Sequence, residues 1–149
     1  MAQKIAALQP RLDQVQRIRI LLATVEKEAG QIDSGVRALR EKMMDAAGTK
    51  HATMVMRFLK DKQGKLNKIE KTSGLVSRTI PVAVHKVLNA CVPERIAEKL
   101  EDRSIDRALE RAVAKLEMLQ DLTKSQLREL ATIGDQLDRL LKHPSPKVQ

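Results

Sequence analysis

Tryptophan and tyrosine are absent from this chain, and phenylalanine occurs once, at Phe58. Globular cores and ligand pockets draw much of their buried area from aromatic rings, whereas helix seams are filled by Leu, Ile, Val, Met and Ala. The shortage therefore favours seams over a deep core. Cysteine also occurs once, at Cys91, which excludes an intrachain disulfide and a Cys-based metal site and fits a reducing compartment. No Gly-rich phosphate loop and no G-x-S-x-G elbow is present. No apolar run approaches the ~18 residues needed to cross a bilayer. Met1 to Gln9 lacks the apolar core of a signal peptide, and with one Lys, no Arg and no Ser it does not read as a transit peptide. A cytoplasmic location without a membrane span is expected.

The same shortage extends to chemistry. His51, His85 and His143 fall in three different segments, none with a second His or a Cys at helical ligand spacing. The acidic residues are accounted for by helical charge patterning, with no pocket to push their pKa values apart. The sequence therefore predicts no metal, no cofactor, no small-molecule substrate and no enzymatic activity.

What is present is helix. At 149 residues, 42% hydrophobic and 32% charged, the chain suits one domain. Residues 1–142 read as a single helical coiled-coil domain, and 143–149, with Pro144 and Pro146, as a disordered tail. Gly, Pro and capping residues cluster at a few points and predict four helical stretches. The first runs from about Pro10, with a possible turn through Ile5 and Leu8 before it, to Ala47. There Gly48 closes it and Thr49 caps the next. The second runs from Lys50 to about Thr72, ending at Gly74. A short third runs from Pro81 to Cys91, and the longest from Pro93 to Lys142.

In the first helix Leu22, Val25, Ala29, Ile32, Val36, Leu39, Met43 and Ala46 alternate in steps of three and four, a sustained heptad seam. Leu12, Val15 and Ile18 join it through one extra three-residue step, a stammer. In the last helix Leu109, Ala112, Leu116, Leu119, Thr123, Gln126, Leu130, Ile133, Leu137 and Leu140 repeat the alternation, with two polar residues in the seam. Gly30, Gly35 and Gly134 each lower helix propensity by ~1 kcal/mol, which points either to close helix contacts or to tolerated weak spots.

Acid and base pairs from Glu94–Arg95 to Glu110–Arg111 recur every four residues at the start of the last helix. Such a ladder supports an exposed helix by ~0.2–0.5 kcal/mol per pair and argues against a break at Ser104. At ~1.5 Å per residue the first helix should be about 57 Å long and the last about 75 Å. The expected fold is all-α: a long antiparallel helical hairpin or coiled coil, with the two short helices forming a small bundle head. The apolar stretch Gly74 to Leu88 is expected to plug that head.

Charge is the most useful functional clue. Residues 48–87 carry nine Lys/Arg against two Asp/Glu, so +7 of the net +9 lies there. The cations are Lys50, Arg57, Lys60, Lys62, Lys65, Lys68, Lys71, Arg78 and Lys86, opposed by Asp61 and Glu70. Lys dominates and no aromatic platform accompanies it, so nucleic-acid binding there would be backbone-directed and sensitive to salt. An acidic filament is an alternative partner, and a solvated helix face is the plainer reading.

Two functions follow as expectations. The first is a structural or adaptor subunit that binds helices of other chains, as a homo- or hetero-oligomer, through Leu12, Val15, Leu22, Val25, Ile32, Val36, Leu39, Leu116, Leu119, Leu130, Ile133, Leu137 and Leu140. In an antiparallel pair, Leu12 and Val15 would lie beside Leu137 and Leu140, where only two helices meet, and a further chain is expected to pack there. The second is a nucleic-acid- or filament-associated protein that uses the basic segment.

Overall fold

The computed structural model describes residues 2–48, 50–98 and 102–142, with side chains from Leu8 onward except that of Ala47. Helix α1 spans Ala2–Ala47, α2 Ala52–Ala90, α3 Pro93–Glu98 and α4 Arg103–Lys142, and no strand occurs among the described residues. Three of the four are long, and α1 lies against both α2 and α4, which touch each other less. The expected tail, 143–149, and the expected Thr49 cap lie outside the described residues.

The directions of the helices correct the expected hairpin. Arg11 meets Asp106, Glu28 meets Thr123 and Lys42 meets Asp138, so residues advance together along both helices. The first and last helices are parallel. The antiparallel neighbour is α2: Arg40 of α1 reaches Asn67 and Glu70, while Ile18 shares a cluster with Val84 and Leu88. The chain therefore runs up along α1, down along α2 and up again along α4. No separate head exists among the described residues, because the two expected short helices are one 39-residue helix lying along α1.

That helix continues through Gly74 and Pro81, where the sequence predicts an interruption. A proline inside a helix forfeits one hydrogen bond and crowds the preceding turn, at a cost of ~3 kcal/mol. The carbonyl left over belongs to Ser77, an exposed residue. Val76, Val84 and Leu88 are buried on either side, and their burial offsets the loss. The residues expected as a plug are thus the inner face of α2. Leu75 and Val82 from the same stretch point outward, 51% and 58% exposed.

The break falls instead within the predicted longest helix, between α3 and α4. Ile96 of α3 is 0% exposed, in one cluster with Ile18, Cys91 and Ile105. Burying it is worth ~1.5–3 kcal/mol, more than several ladder pairs together. Asp102 then caps α4: its Oδ1 accepts from the Ser104 backbone N–H at 3.0 Å and from the Ser104 hydroxyl at 2.6 Å. Asp106 pairs across to Arg11 rather than along its own helix, and Lys99 of the ladder lies outside the described residues.

The core is two apolar clusters separated by a polar waist. One gathers Val15, Ile18, Leu22, Val84, Leu88, Cys91, Ile96, Ile105, Leu109 and Leu116. The other gathers Ile32, Val36, Leu39, Met43, Val55, Leu66, Ile69, Leu130, Ile133 and Leu137. Between them sit a small group of Val25, Ala29 and Val76 and the buried polar residues Glu28, Ser73, Thr123 and Gln126. The Thr123 hydroxyl is 2.7 Å from Glu28 Oε2 and 3.0 Å from the Gln120 carbonyl, one proton between two acceptors. Gln126 Oε1 is buried with no hydrogen-bond donor among the described residues.

Candidate binding surfaces

Buried positions in α1 include Arg11, Val15, Ile18, Leu22, Val25, Ala29, Ile32, Val36, Leu39, Met43 and Ala46, an unbroken alternation of four and three, with Leu21 and Glu28 buried beside it. The expected stammer is absent. Arg11, not Leu12, takes the first position, 5% exposed, and Leu12 is half-buried. The Arg11 guanidinium donates from Nε to Asp106 Oδ1 at 2.8 Å and from one terminal nitrogen to Asp106 Oδ2 at 3.3 Å and to the Asp102 carbonyl at 2.9 Å. A planar fork matched to both carboxylate oxygens is the strong form of this contact. It pins the start of α4 to α1. The sequence signal for Arg11 is its place seven residues before Ile18 and four before Val15, hidden by the polar side chain.

The remaining seam residues face the chain's own helices. Val15, Leu22, Val25, Ile32, Val36, Leu39, Leu116, Leu130, Ile133 and Leu137 are buried, while Leu119 and Leu140 are half-buried. Because α1 and α4 are parallel, Leu12 and Val15 lie at the opposite end of the bundle from Leu137 and Leu140. The expected joint site for a further chain is therefore not a single place. At Leu137, α2 supplies the third helix through Val55 and Leu66.

Two of the three glycines mark close approach. A Cβ on Gly35 would sit 3.3 Å from Leu130 Cδ1 and one on Gly134 3.6 Å from Leu39 Cδ2, so each long helix sets a leucine over a glycine of the other. Gly30 has nothing within 4 Å of such a Cβ and is a tolerated weak spot.

The basic segment divides more sharply. Arg57, Lys60, Gly64, Lys68, Lys71, Leu75, Arg78, Val82 and Lys86 follow one another at steps of three and four along the outer face of α2, and all except Gly64, Leu75 and Val82 are cations. The stripe is about 44 Å long at ~1.5 Å per residue, with exposed Asp61, four residues after Arg57, at its margin. Lys50 is exposed in the turn before α2. Lys65 stands to one side, 3.8 Å from Glu129. Glu70, one of the two opposing acids, is held 3.4 Å from Arg40. Lys62 is the exception among the expected cations. It occupies an inward position between Leu59 and Leu66, with its side chain 17% exposed, its Nζ 6.0 Å over the Phe58 ring and 3.5 Å from Asp61. Its stem covers apolar surface while its charge is already matched, so it does not join the outer face.

Beside the stripe, α1 and α2 enclose an open groove of 910 Å³, where Arg37, Arg40, Lys71 and Arg78 face Asp33, Glu41 and Glu70. Its charges nearly balance. A second, more apolar groove runs between α2 and α4.

Of the titratable groups, Cys91 is buried, and burial pushes its thiol up against a smaller lowering by Arg11. A thiol so placed is a poor nucleophile. The Asp138 carboxyl is held below its ordinary range, first by the hydrogen bond from Lys42 and then by the charges of Lys42 and Lys142. His85 is exposed and His51 half-buried, and His143 lies outside the described residues. No described helix is long and apolar enough to cross a membrane. Comparison with family models, with curated protein sequences and with solved structures gave no match to this chain.

Proposed function

We propose that this protein is a non-enzymatic, structural binding subunit: a three-helix rod, packed by coiled-coil seams, that holds a polyanionic partner along the outer face of α2. The observation that carries this reading is the stripe of Arg57, Lys60, Lys68, Lys71, Arg78 and Lys86, with Asp61 the one acid of α2 at its margin, on a helix whose other face is fixed against α1. A merely solubilising surface mixes signs, as the exposed face of α4 does. Six like charges in line over ~44 Å instead match a linear array of phosphates or carboxylates. With no ring on the stripe to stack a base, contact would be with a backbone rather than a sequence.

Duplex DNA of arbitrary sequence and polyglutamate serve as probes. For about six charge contacts, affinity for DNA should fall ~10³-fold between 50 and 200 mM salt. Replacing Lys60, Lys68 and Lys71 together by Gln should flatten that slope by about half while leaving helicity unchanged. If neither probe binds at low salt, or the triple variant binds as well as the parent, the reading is wrong.

The second reading, an adaptor that takes up helices of other protein chains, is favoured by the open groove between α2 and α4. The three helices already cover the heptad seams, so a partner helix would have to bind outside them.

A further inference from the structure

The groove between α2 and α4 is smaller than the one between α1 and α2 but more apolar. Two contiguous hollows, of 350 and 300 Å³, share Val87 and Ala108 and extend from Ile80 to Cys91 on α2 and from Asp102 to Lys115 on α4. That is about 20 Å, or some three to four helical turns. Its walls are small and apolar: Ala83 is exposed, and Ile80, Val87, Ala108 and Ala112 are half-buried. At the other end of the bundle, Phe58, Leu59, Leu127, Leu140 and Leu141 pack against the core. Alanines here leave a hollow that the described side chains do not reach across, and they let another backbone come close.

Along their length the rims are basic, with Asp102 the one acid, at the groove's end. Lys86 stands on the α2 side and Arg111 and Lys115 on the α4 side, all exposed, and none forms an ion pair among the described residues. Asp102, at the end of the groove, is occupied in capping α4. An apolar floor between two basic rims is complementary to a helix with an apolar stripe flanked by acids. A second copy docking through α2 fits poorly, because +7 of the net +9 lies in residues 48–87 and would bring like charge to those rims.

We infer that this groove docks an amphipathic helix of a partner protein, its apolar stripe bordered by Asp or Glu on both sides, and so completes a four-helix bundle. The inference rests on the adaptor reading and shares only Lys86 with the basic stripe on α2.

The probe is a synthetic peptide of about five helical turns with Leu at i, i+4, i+7 and i+11 and Glu on both flanks, labelled for fluorescence anisotropy with the full chain. Its twin carries Lys in place of each Glu. The Glu peptide should bind, and the Lys peptide at least about tenfold more weakly at low salt. Ala83→Leu, which fills the groove from an exposed position, should abolish binding without loss of helicity. R111E with K115E should reverse the preference between the two peptides, an outcome that generic stickiness cannot produce. The Lys60, Lys68 and Lys71 triple Gln variant should bind the Glu peptide as the parent does.

Several results would overturn the inference. Binding that survives Ala83→Leu and keeps its preference in R111E/K115E places the helix elsewhere and leaves the adaptor reading standing. Loss in the triple variant assigns the binding to the outer face of α2. A chain that sediments as a dimer and becomes monomeric on Ala83→Leu shows that a second copy fills the groove. Failure of both peptides at millimolar concentration removes the adaptor reading along with the groove.

Discussion

The end of the bundle around Met43 and Leu137 and the end around Cys91 and Ile105 are built from the same three long helices but are closed in different ways. At the first, leucines seat over Gly35 and Gly134, and Phe58, Leu59, Leu127 and Leu140 back the core. At the second, alanines and valines line α2 and α4, a groove stays open between them, and a buried arginine, rather than another leucine, ties α4 to α1. The comparison teaches that apolar volume and polar geometry do different jobs here. Large side chains close the first end by filling space. A guanidinium with fixed partners positions the second, where too little volume is available to do so.

The largest expected effect breaks the well-filled end. Leu137 is fully buried, so Leu137→Ala should cost ~2–5 kcal/mol in urea unfolding at constant m. Val84→Ala at the open end should cost less than ~2 kcal/mol, since fewer carbons are lost and the groove allows collapse. Equal losses would remove the distinction between the ends.

Arg11 separates volume from position. Arg11→Ala should cost ~1.5–3 kcal/mol, in the range of hydrogen bonds to charged groups. It should also speed amide exchange over the first turns of α4. Arg11→Leu, which completes the apolar seam, should recover part of the stability and none of the exchange protection. If protection returns with the leucine, packing rather than the guanidinium places that helix.

The glycines give a smaller, signed test. Gly30→Ala meets nothing within 4 Å and should stabilise by ~1 kcal/mol. Gly35→Ala gains the same propensity but must displace Leu130 Cδ1 from 3.3 Å, so its net effect should fall below that of Gly30→Ala. A higher melting temperature for Gly35→Ala would mean that the two long helices are not closely apposed there.

The smallest effect is electrostatic and exposed. The Asp138 pKa is lowered in the folded chain, mainly by Lys42, so the unfolded chain takes up the proton first on acidification. Stabilisation from this group is therefore present above the unfolded carboxylate value near ~3.9 and fades as the pH falls through the lower folded value. Carboxyl NMR should show Asp138 titrating below the ordinary range, and Lys42→Met should return it toward that range. An unchanged titration in that variant would assign the shift to another neighbour.

The helical class, and much of what is buried in α1 and α4, was legible in the sequence. Alternating threes and fours from Leu22 to Ala46 and from Leu109 to Leu140 turn one face of a 3.6-residue helix toward a neighbour, whatever that neighbour is. The excess of cations between Lys50 and Lys86 was equally plain, because charge needs no fold to be counted. Periodicity names a face but not its partner, and this is why the direction of α4 and the neighbour at Leu137 could not be read. The inward place of Lys62, by contrast, was marked by its spacing from Leu59 and Leu66 and hidden by its charge. Local rules also mispredicted the helix ends. Pro81 and the ladder from Glu94 to Arg111 act with energies of a few kcal/mol or less, and long-range burial of Val84, Leu88, Ile96 and Ile105 outweighed both. The sequence by itself determined helices, seams and a basic segment. Only the tertiary structure decided that three helices cover the seams within one chain, that Arg11 holds the start of α4, and that a groove remains between α2 and α4, because each depends on which distant residues burial brings together.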